Sequence, residues 1–215
     1  MSENKYLILR LKGPMQSWGL RAKFDNRFTE TMPTKSGIIG LLAAALGLDR
    51  SDVAGIASLS KLKLMTVCVK EGTVITDFHT VGAGHTELEK CLPRAEGKPA
   101  GNAVTRRQYL CDYEFLAVLN GDADVIARCS AAVRDPVYAL GLGRKACFPS
   151  VPVYAGMCSK EDLVNQLKAN KWQEGQRVIC EIDKGGQLEQ DVPLNFKTRK
   201  FTSRRISGDI TDWLD

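Results

Sequence analysis

The chain has 215 residues, of which 44% are hydrophobic and 26% charged. This composition excludes a disordered chain and predicts one large or two small globular domains. The 30 basic and 25 acidic side chains give a net charge of +5, a mild excess that permits a polyanionic partner without requiring one. None of the seven cysteines forms a C-x-x-C motif, which argues against a structural zinc site, and we expect no metal or cofactor.

The first four residues lead directly into an apolar segment and lack the pattern of a signal peptide. We therefore expect a cytoplasmic protein with no membrane partner, in which the cysteines are reduced thiols that pack as small hydrophobic groups.

The first predicted elements are a strand and an unusually apolar helix. Tyr6–Leu11 alternates, with its leucines on one face. Residues 15–33 are irregular, basic and aromatic. Residues 34–47 predict a helix that Thr34 caps and Gly47 ends. This helix has almost no polar face, so it must be buried, and at about 11–13 residues it is too short to span a bilayer.

The start of this helix is a candidate phosphate site. It presents Lys35, Ser36, the Thr34 hydroxyl and free backbone N–H groups, and helix N-termini attract anions. Gly37 and Gly40 share a face that another backbone could approach closely. An ordinary capped core helix is the alternative, and on this segment alone it is favoured. The glycines of a P-loop are absent, which excludes nucleotide hydrolysis.

The middle of the chain alternates between strands and helices around one irregular segment. Residues 82–105 lack periodicity and are predicted to form a projecting arm. The other elements predicted from periodicity are a helix over Asp52–Leu59 capped by Ser51, a hairpin of strands Leu62–Lys70 and Val74–Thr80 through Glu71-Gly72, a strand over Arg107–Leu119, a helix over Asp122–Arg134 and a strand over Val151–Met157.

This order, β-α-β-β-β-α-β, predicts an α+β protein close to the ferredoxin-like fold, the frame of RNA-recognition modules. We expect this domain to cover residues 1–158. A small C-terminal α/β portion, residues 159–215, is predicted to contain a helix capped by Ser159 and Asp162 that runs to about Trp172, a hairpin around Gly185-Gly186, and a basic tail over Lys197–Arg205.

Interleaved basic and aromatic residues are the strongest chemical signal. Bases stack on aromatic rings while arginine and lysine hold phosphates. The glycine-rich turn before Arg144 and Lys145 suits backbone approach to a phosphate, and a plain structural turn is equally compatible. For any single segment, a solvated face or a buried core aromatic is the ordinary alternative. The candidate RNA-binding residues are Trp18, Arg21, Lys23, Arg27, Lys35, Ser36, His79, Arg106, Arg107, Tyr109, Arg144 and Lys145.

The two histidines, His79 and His85, leave metal-free RNA cleavage open, since such cleavage needs a general base and an acid at one phosphate. A hydrogen-bonding or stacking role for His79 is favoured over catalysis, because the chain offers few partners for it. Lys90 or Tyr109 could complete such a site with His79.

Five blocks in order over residues 5–157 resemble the CasD family, the fifth Cas family of the RAMP superfamily. The first block reads YLILRLKGPMQSWG. The blocks are Tyr6–Gly19, Pro33–Leu42, Asp77–Val81, Arg107–Asp112 and Leu142–Cys147.

The resemblance implies a ferredoxin-like RAMP domain with a thumb-like arm, in a non-catalytic subunit of a type I-E CRISPR Cascade complex. Such subunits grip the 5′ handle of the CRISPR RNA, cap the backbone filament, and contact a CasC-type backbone subunit and a CasA-type large subunit in antiviral DNA interference. Such a subunit would contact target DNA only indirectly, through the assembled complex. In type I-C systems the counterpart of such a subunit is an endoribonuclease, so one alternative function is metal-independent cleavage of precursor RNA. A generic single-strand RNA-binding module outside CRISPR is a third.

Overall fold

The computed structural model describes residues 5–20, 25–81 and 103–214. They form an α+β protein, as predicted. The helices are α1 (Lys35–Leu46), α2 (Val53–Ser60), α3 (Ala123–Arg134), α4 (Leu163–Ala169) and α5 (Thr211–Leu214). The strands are β1 (Tyr6–Lys12), β2 (Met15–Gln16), β3 (Asn26–Arg27), β4 (Lys63–Lys70), β5 (Thr73–Val81), β6 (Ala103–Cys111), β7 (Glu114–Asn120), β8 (Tyr154–Cys158), β9 (Val178–Ile182), β10 (Gln187–Asn195) and β11 (Lys200–Ser207). None of the helices within these described ranges is long and apolar enough to cross a bilayer.

A seven-stranded antiparallel sheet in the order β10-β11-β9-β4-β7-β1-β8 organises the core. The alternation predicted for β1 is confirmed, because Leu7, Leu9 and Leu11 enter the cluster that holds α1, α2 and α3. Tyr6 and Ile8 face the other side of the sheet, in a second cluster with α4 and Trp213.

The apolar helix α1 is buried, as its composition predicts. The Thr34 hydroxyl accepts a hydrogen bond from the Gly37 N–H at 3.2 Å, and Gly47, with a φ of +72°, ends the helix. The expected approach of another backbone is wrong: a Cβ on Gly37 would lie 2.6 Å from the Trp18 ring, so the glycine makes room for an indole. The next helix begins one residue later than predicted, with Asp52 rather than Ser51 as its N-cap.

The predicted hairpin of β4 and β5 is wrong, although both strands exist. β4 pairs with β7 and β9, whereas β5 pairs with β6 in a second, four-stranded sheet that includes β2 and β3. The predicted strand over 107–119 is likewise two strands, since Asp112 has a φ of +60° and ends β6. The alternation continues across this turn, which is why periodicity alone does not detect it.

The C-terminal strands extend the main sheet, because β9 pairs with β4. The predicted hairpin around Gly185-Gly186 is wrong, since β11 lies between β9 and β10 and pairs with both. The predicted basic tail is therefore largely strand β11. The helix α4 ends at Ala169, short of Trp172. The domain division at residue 158 stays a prediction, and residues 82–102 of the predicted arm lie outside the described residues.

Candidate nucleic-acid interface

The ribbon formed by β5 and β6 sorts the candidate residues onto two faces. Residues paired across strands share a face, and neighbours along a strand alternate. His79 pairs with Thr105 on β6, and Arg107 pairs with Arg27 on β3. Tyr109 lies two residues beyond Arg107 on the same strand. We call the face that carries Arg27, His79, Arg107, Tyr109 and Arg144 the cationic face.

Arg144 joins this face through three contacts. Its guanidinium carbon lies 4.7 Å from the centroid of the Tyr109 ring. Its two terminal nitrogens donate to the carbonyl oxygens of Gln108 at 2.9 Å and Arg27 at 2.7 Å. Tyr109 is only 8% exposed beneath it. Arg144 therefore ties β3 to β6 and covers the tyrosine, so its part in RNA binding is first to position this face.

The glycine-rich turn before Arg144 is packed against the chain itself. Gly143 has a φ of +84°, and a Cβ there would lie 1.9 Å from the Ser17 carbonyl oxygen. The Ser17 N–H donates to the Leu142 carbonyl at 3.0 Å, and its hydroxyl donates to the Gln108 carbonyl at 3.1 Å. The close contact with Ser17 thus explains why a glycine is needed here without a phosphate ligand. The turn places Arg144 on the cationic face.

The accessible cations of this face are Arg27 and Arg107, and Lys145 is the residue that follows Arg144. Arg27 and Lys145 are exposed, and Arg107 is half-buried with its Nε donating to the Thr105 hydroxyl at 2.9 Å. His79 is also half-buried, with its Nδ1 3.7 Å from a carboxylate oxygen of Asp77. These groups can neutralise phosphates and offer hydrogen bonds to a sugar or base.

Besides Tyr109, three predicted site residues are buried in the interior. Trp18 is fully buried, and its indole N–H donates to the Gln16 side-chain oxygen at 3.1 Å. Ser36 is buried beside the Thr34 hydroxyl at 3.3 Å. Lys35 is 2% exposed, and its Nζ donates to both carboxylate oxygens of Glu181 at 2.7 and 2.8 Å. Their prediction as RNA contacts is corrected by this burial.

The anion expected at the start of α1 is supplied by the chain. The Lys35 backbone N–H donates to the Asp191 carboxylate at 2.6 Å. Burial lowers the pKa of Lys35, and the neighbouring charge of Glu181 opposes this effect. Both acidic partners lie about 150 residues away in sequence, too far for any local pattern to announce them.

The two faces of the ribbon separate neighbouring candidates. Arg106 pairs with Phe78 on the face opposite the cationic face. Phe78 is not among the residues predicted from the sequence, although alternation along β5 places it on the opposite face from its neighbour His79. Arg21 and Lys23 lie outside the described residues.

Comparison with known proteins identifies the family. The family model described as "CRISPR-associated protein (Cas_Cas5)" matches residues 6–210. The chain is 34% identical over 214 residues to the CRISPR system Cascade subunit CasD of Escherichia coli (strain K12), covering 93% of each protein.

Two solved structures have a similar fold. One is a chain of a CRISPR RNA-guided surveillance complex, with a TM-score of 0.77 and 31% identity over 94% of this chain and 89% of that one. The other is described as a crystal structure of a Cas protein, with a TM-score of 0.67 and 27% identity over 95% and 93% of the two chains. The resemblance found in the sequence is thereby confirmed, and the chain belongs to the Cas5 family of CRISPR-associated proteins.

Proposed function

We propose that this protein is a non-catalytic subunit of a type I-E CRISPR Cascade complex, which binds the 5′ handle of the CRISPR RNA and caps the backbone filament. The observation that carries the proposal is the 34% identity to a Cascade subunit across 93% of both proteins. Similarity over almost the whole length argues for the same place in a complex. The partners would be a CasC-type backbone subunit and a CasA-type large subunit.

The strand order supports a ferredoxin-like core. The elements β1, α1, β4, β7, α3 and β8 follow the order β-α-β-β-α-β, and their strands lie side by side as β4-β7-β1-β8. The pair β5 and β6 is inserted between β4 and β7. Residues 82–105, which join and enter these inserted strands, would be the thumb-like arm.

The RNA would lie along the cationic face. Arg27 and Arg107 are accessible there and suit phosphates, as does the exposed Lys145 next to Arg144 in the chain, while Arg144 keeps β3 and β6 together. Tyr109 is buried beneath Arg144, so its hydroxyl is poorly placed to serve as the acid or base of a cleavage site. This arrangement supports binding rather than hydrolysis. The six described cysteines are free thiols, in keeping with our placement of the protein in the cytoplasm.

The decisive experiment measures binding and cleavage of repeat RNA in EDTA with one protein sample. We expect binding that weakens steeply with salt, because each phosphate contact adds about 0.7 to the log–log slope for a single strand. Charge reversal of Arg27, Arg107 or Lys145 to glutamate should weaken binding, while Arg128→Glu on the exposed side of α3 should not.

Assembly and catalysis complete the test. The chain should copurify with CasC-type and CasA-type subunits and with intact RNA. Failure to bind repeat RNA or to join the complex would overturn the proposal. Cleavage at one defined repeat position, lost in His79→Ala, would establish the endoribonuclease instead.

A further inference from the structure

We infer that Phe78 and Arg106 form a second RNA contact, a base-stacking platform on the face of the β5–β6 ribbon opposite the cationic face. The platform would take one unpaired base of single-stranded RNA together with its phosphate. The inference rests on the proposed function for the identity of the RNA and adds a site that the cationic face does not contain.

The geometry of the pair supports the platform. Phe78 and Arg106 are directly paired across the two strands, and the guanidinium carbon of Arg106 lies 5.7 Å from the ring centroid. Phe78 is 60% exposed. The Arg106 backbone N–H donates to the Asp25 carbonyl at 2.7 Å, which holds this part of β6 against the segment that enters β3. The ring is therefore presented to solvent by paired strands.

An exposed phenylalanine alone would mean little, since single apolar side chains are common on protein surfaces. The surrounding face makes this one specific. The described residues of β5 and β6 that share it carry no carboxylate, and Arg106 is the only cation among them. On β5 they are Val74, Thr76, Phe78 and Thr80, and on β6 they are Val104, Arg106, Gln108 and Leu110. An arginine on a carboxylate-free stretch of paired strands can bind a phosphate.

The chemistry of the pair matches one nucleotide. An aromatic ring stacks on the face of any base, and an arginine beside it binds the adjoining phosphate. Asn26 lies on β3 and is paired with Arg106 on β6. Its amide can form hydrogen bonds with polar groups of the nucleotide. Stacking on phenylalanine does not distinguish one base from another. The platform would therefore bind a fixed position of the RNA, whichever base occupies it. A strand that passes around the edge of the ribbon would meet both faces.

The test uses the full-length protein and repeat-derived RNA in which 2-aminopurine replaces each handle position in turn. Stacking quenches the emission of this base, so one position should be quenched by the wild type and released by Phe78→Ala. The same variant should weaken binding about 5- to 150-fold, the range expected for loss of one base stack. Phe78→Trp should retain both the quenching and the wild-type affinity.

Matched variants distinguish the platform from general surface damage. Phe148→Ala removes a ring that is 57% exposed elsewhere and should change neither emission nor affinity. Arg106→Gln should reduce the salt slope by about 0.7, as expected for one lost phosphate contact, whereas Arg128→Gln should not.

Three outcomes separate this inference from the proposed function. Unchanged affinity and emission in Phe78→Ala, with binding still weakened by Arg107→Glu, would overturn the platform and leave the proposed function intact. Loss of a protein subunit from the complex with RNA affinity unchanged would make Phe78 a protein contact and also overturn it. A wild-type protein that binds no repeat RNA would overturn both proposals.

Discussion

The backbone N–H of Lys35 donates a 2.6 Å hydrogen bond to the carboxylate of Asp191. The same carboxylate accepts hydrogen bonds from the Nε and Nη2 atoms of Arg204 at 2.7 and 2.9 Å. Glu181 completes the cluster by accepting both bonds from the Lys35 Nζ. The positive end of α1 is therefore satisfied by strands of the chain's C-terminal part, and a buried charge cluster joins that part to the first helix.

Removing the central anion should destabilise the fold strongly. Asp191→Ala removes the carboxylate that is hydrogen-bonded to the buried Arg204, which keeps only the longer 3.5 Å ion pair with Glu181. Breaking a buried pair in this way costs about 3–5 kcal/mol. Urea unfolding followed by circular dichroism measures the effect. Asp183→Ala, which removes the exposed partner of Lys63, is the control and should cost at most about 1 kcal/mol. Equal losses in the two variants would contradict a structural role for the buried cluster.

Lys35 should matter for folding and not for RNA. Lys35→Met removes a buried cation that faces Glu181, so we expect a lower free energy of unfolding. Repeat-RNA affinity should be unchanged under conditions where circular dichroism shows the variant folded, in contrast to Arg107→Glu. If RNA binding by folded Lys35→Met protein showed a smaller salt dependence than the wild type, Lys35 would be an RNA contact after all.

Comparing Gly143 with Gly175 separates two costs of adding a side chain to a glycine. One is the strain of a positive φ, and the other is a clash with a neighbouring atom. Both glycines have nearly the same positive φ, +84° and +85°, but a Cβ meets the Ser17 carbonyl at 1.9 Å in the first and nothing within 4 Å in the second. Gly175→Ala should therefore cost about 1–2 kcal/mol, the ordinary penalty of a left-handed conformation. Gly143→Ala should cost clearly more and should also weaken RNA binding by displacing Arg144. Equal unfolding free energies in a urea titration would show that the contact with Ser17 relaxes freely.

Glu114 should give the fold a measurable pH dependence. Burial raises its pKa, but hydrogen bonds and charges from Arg10 and Lys12 outweigh that effect, so the pKa lies below its ordinary value. A lowered carboxyl pKa stabilises the fold above the unfolded pKa of about 4.3 and loses this contribution as pH falls through the folded value. Glu114→Gln should therefore cost about 1.5–3 kcal/mol near neutral pH.

The difference between wild type and Glu114→Gln should shrink as the pH is lowered below about 4, because the protonated acid resembles the amide. Urea unfolding at several pH values measures this. A difference that is constant from neutral to acidic pH would exclude an ionised Glu114 in the folded protein.

Local patterns were sufficient for much of the fold. The apolar run after Thr34 determined a buried helix, since its leucines, isoleucines and alanines leave no polar face for water. Alternation determined which residues of β1 face each side of the sheet. The ordered blocks also identified the right family, because each block is a short run of consecutive residues that can be recognised without knowing the fold.

Tertiary structure decided strand pairing and the fate of the charges. Pairing joins residues far apart in sequence, so β11 enters the sheet between β9 and β10 although its composition resembles a solvated tail. Lys35 looked like a phosphate ligand because its partners, Glu181 and Asp191, come from the other end of the chain. A charge has no local signature of its burial. Only the folded arrangement brings the buried Asp191 and the part-buried Glu181 to Lys35 and leaves Arg27, Arg107 and Lys145 accessible to a ligand.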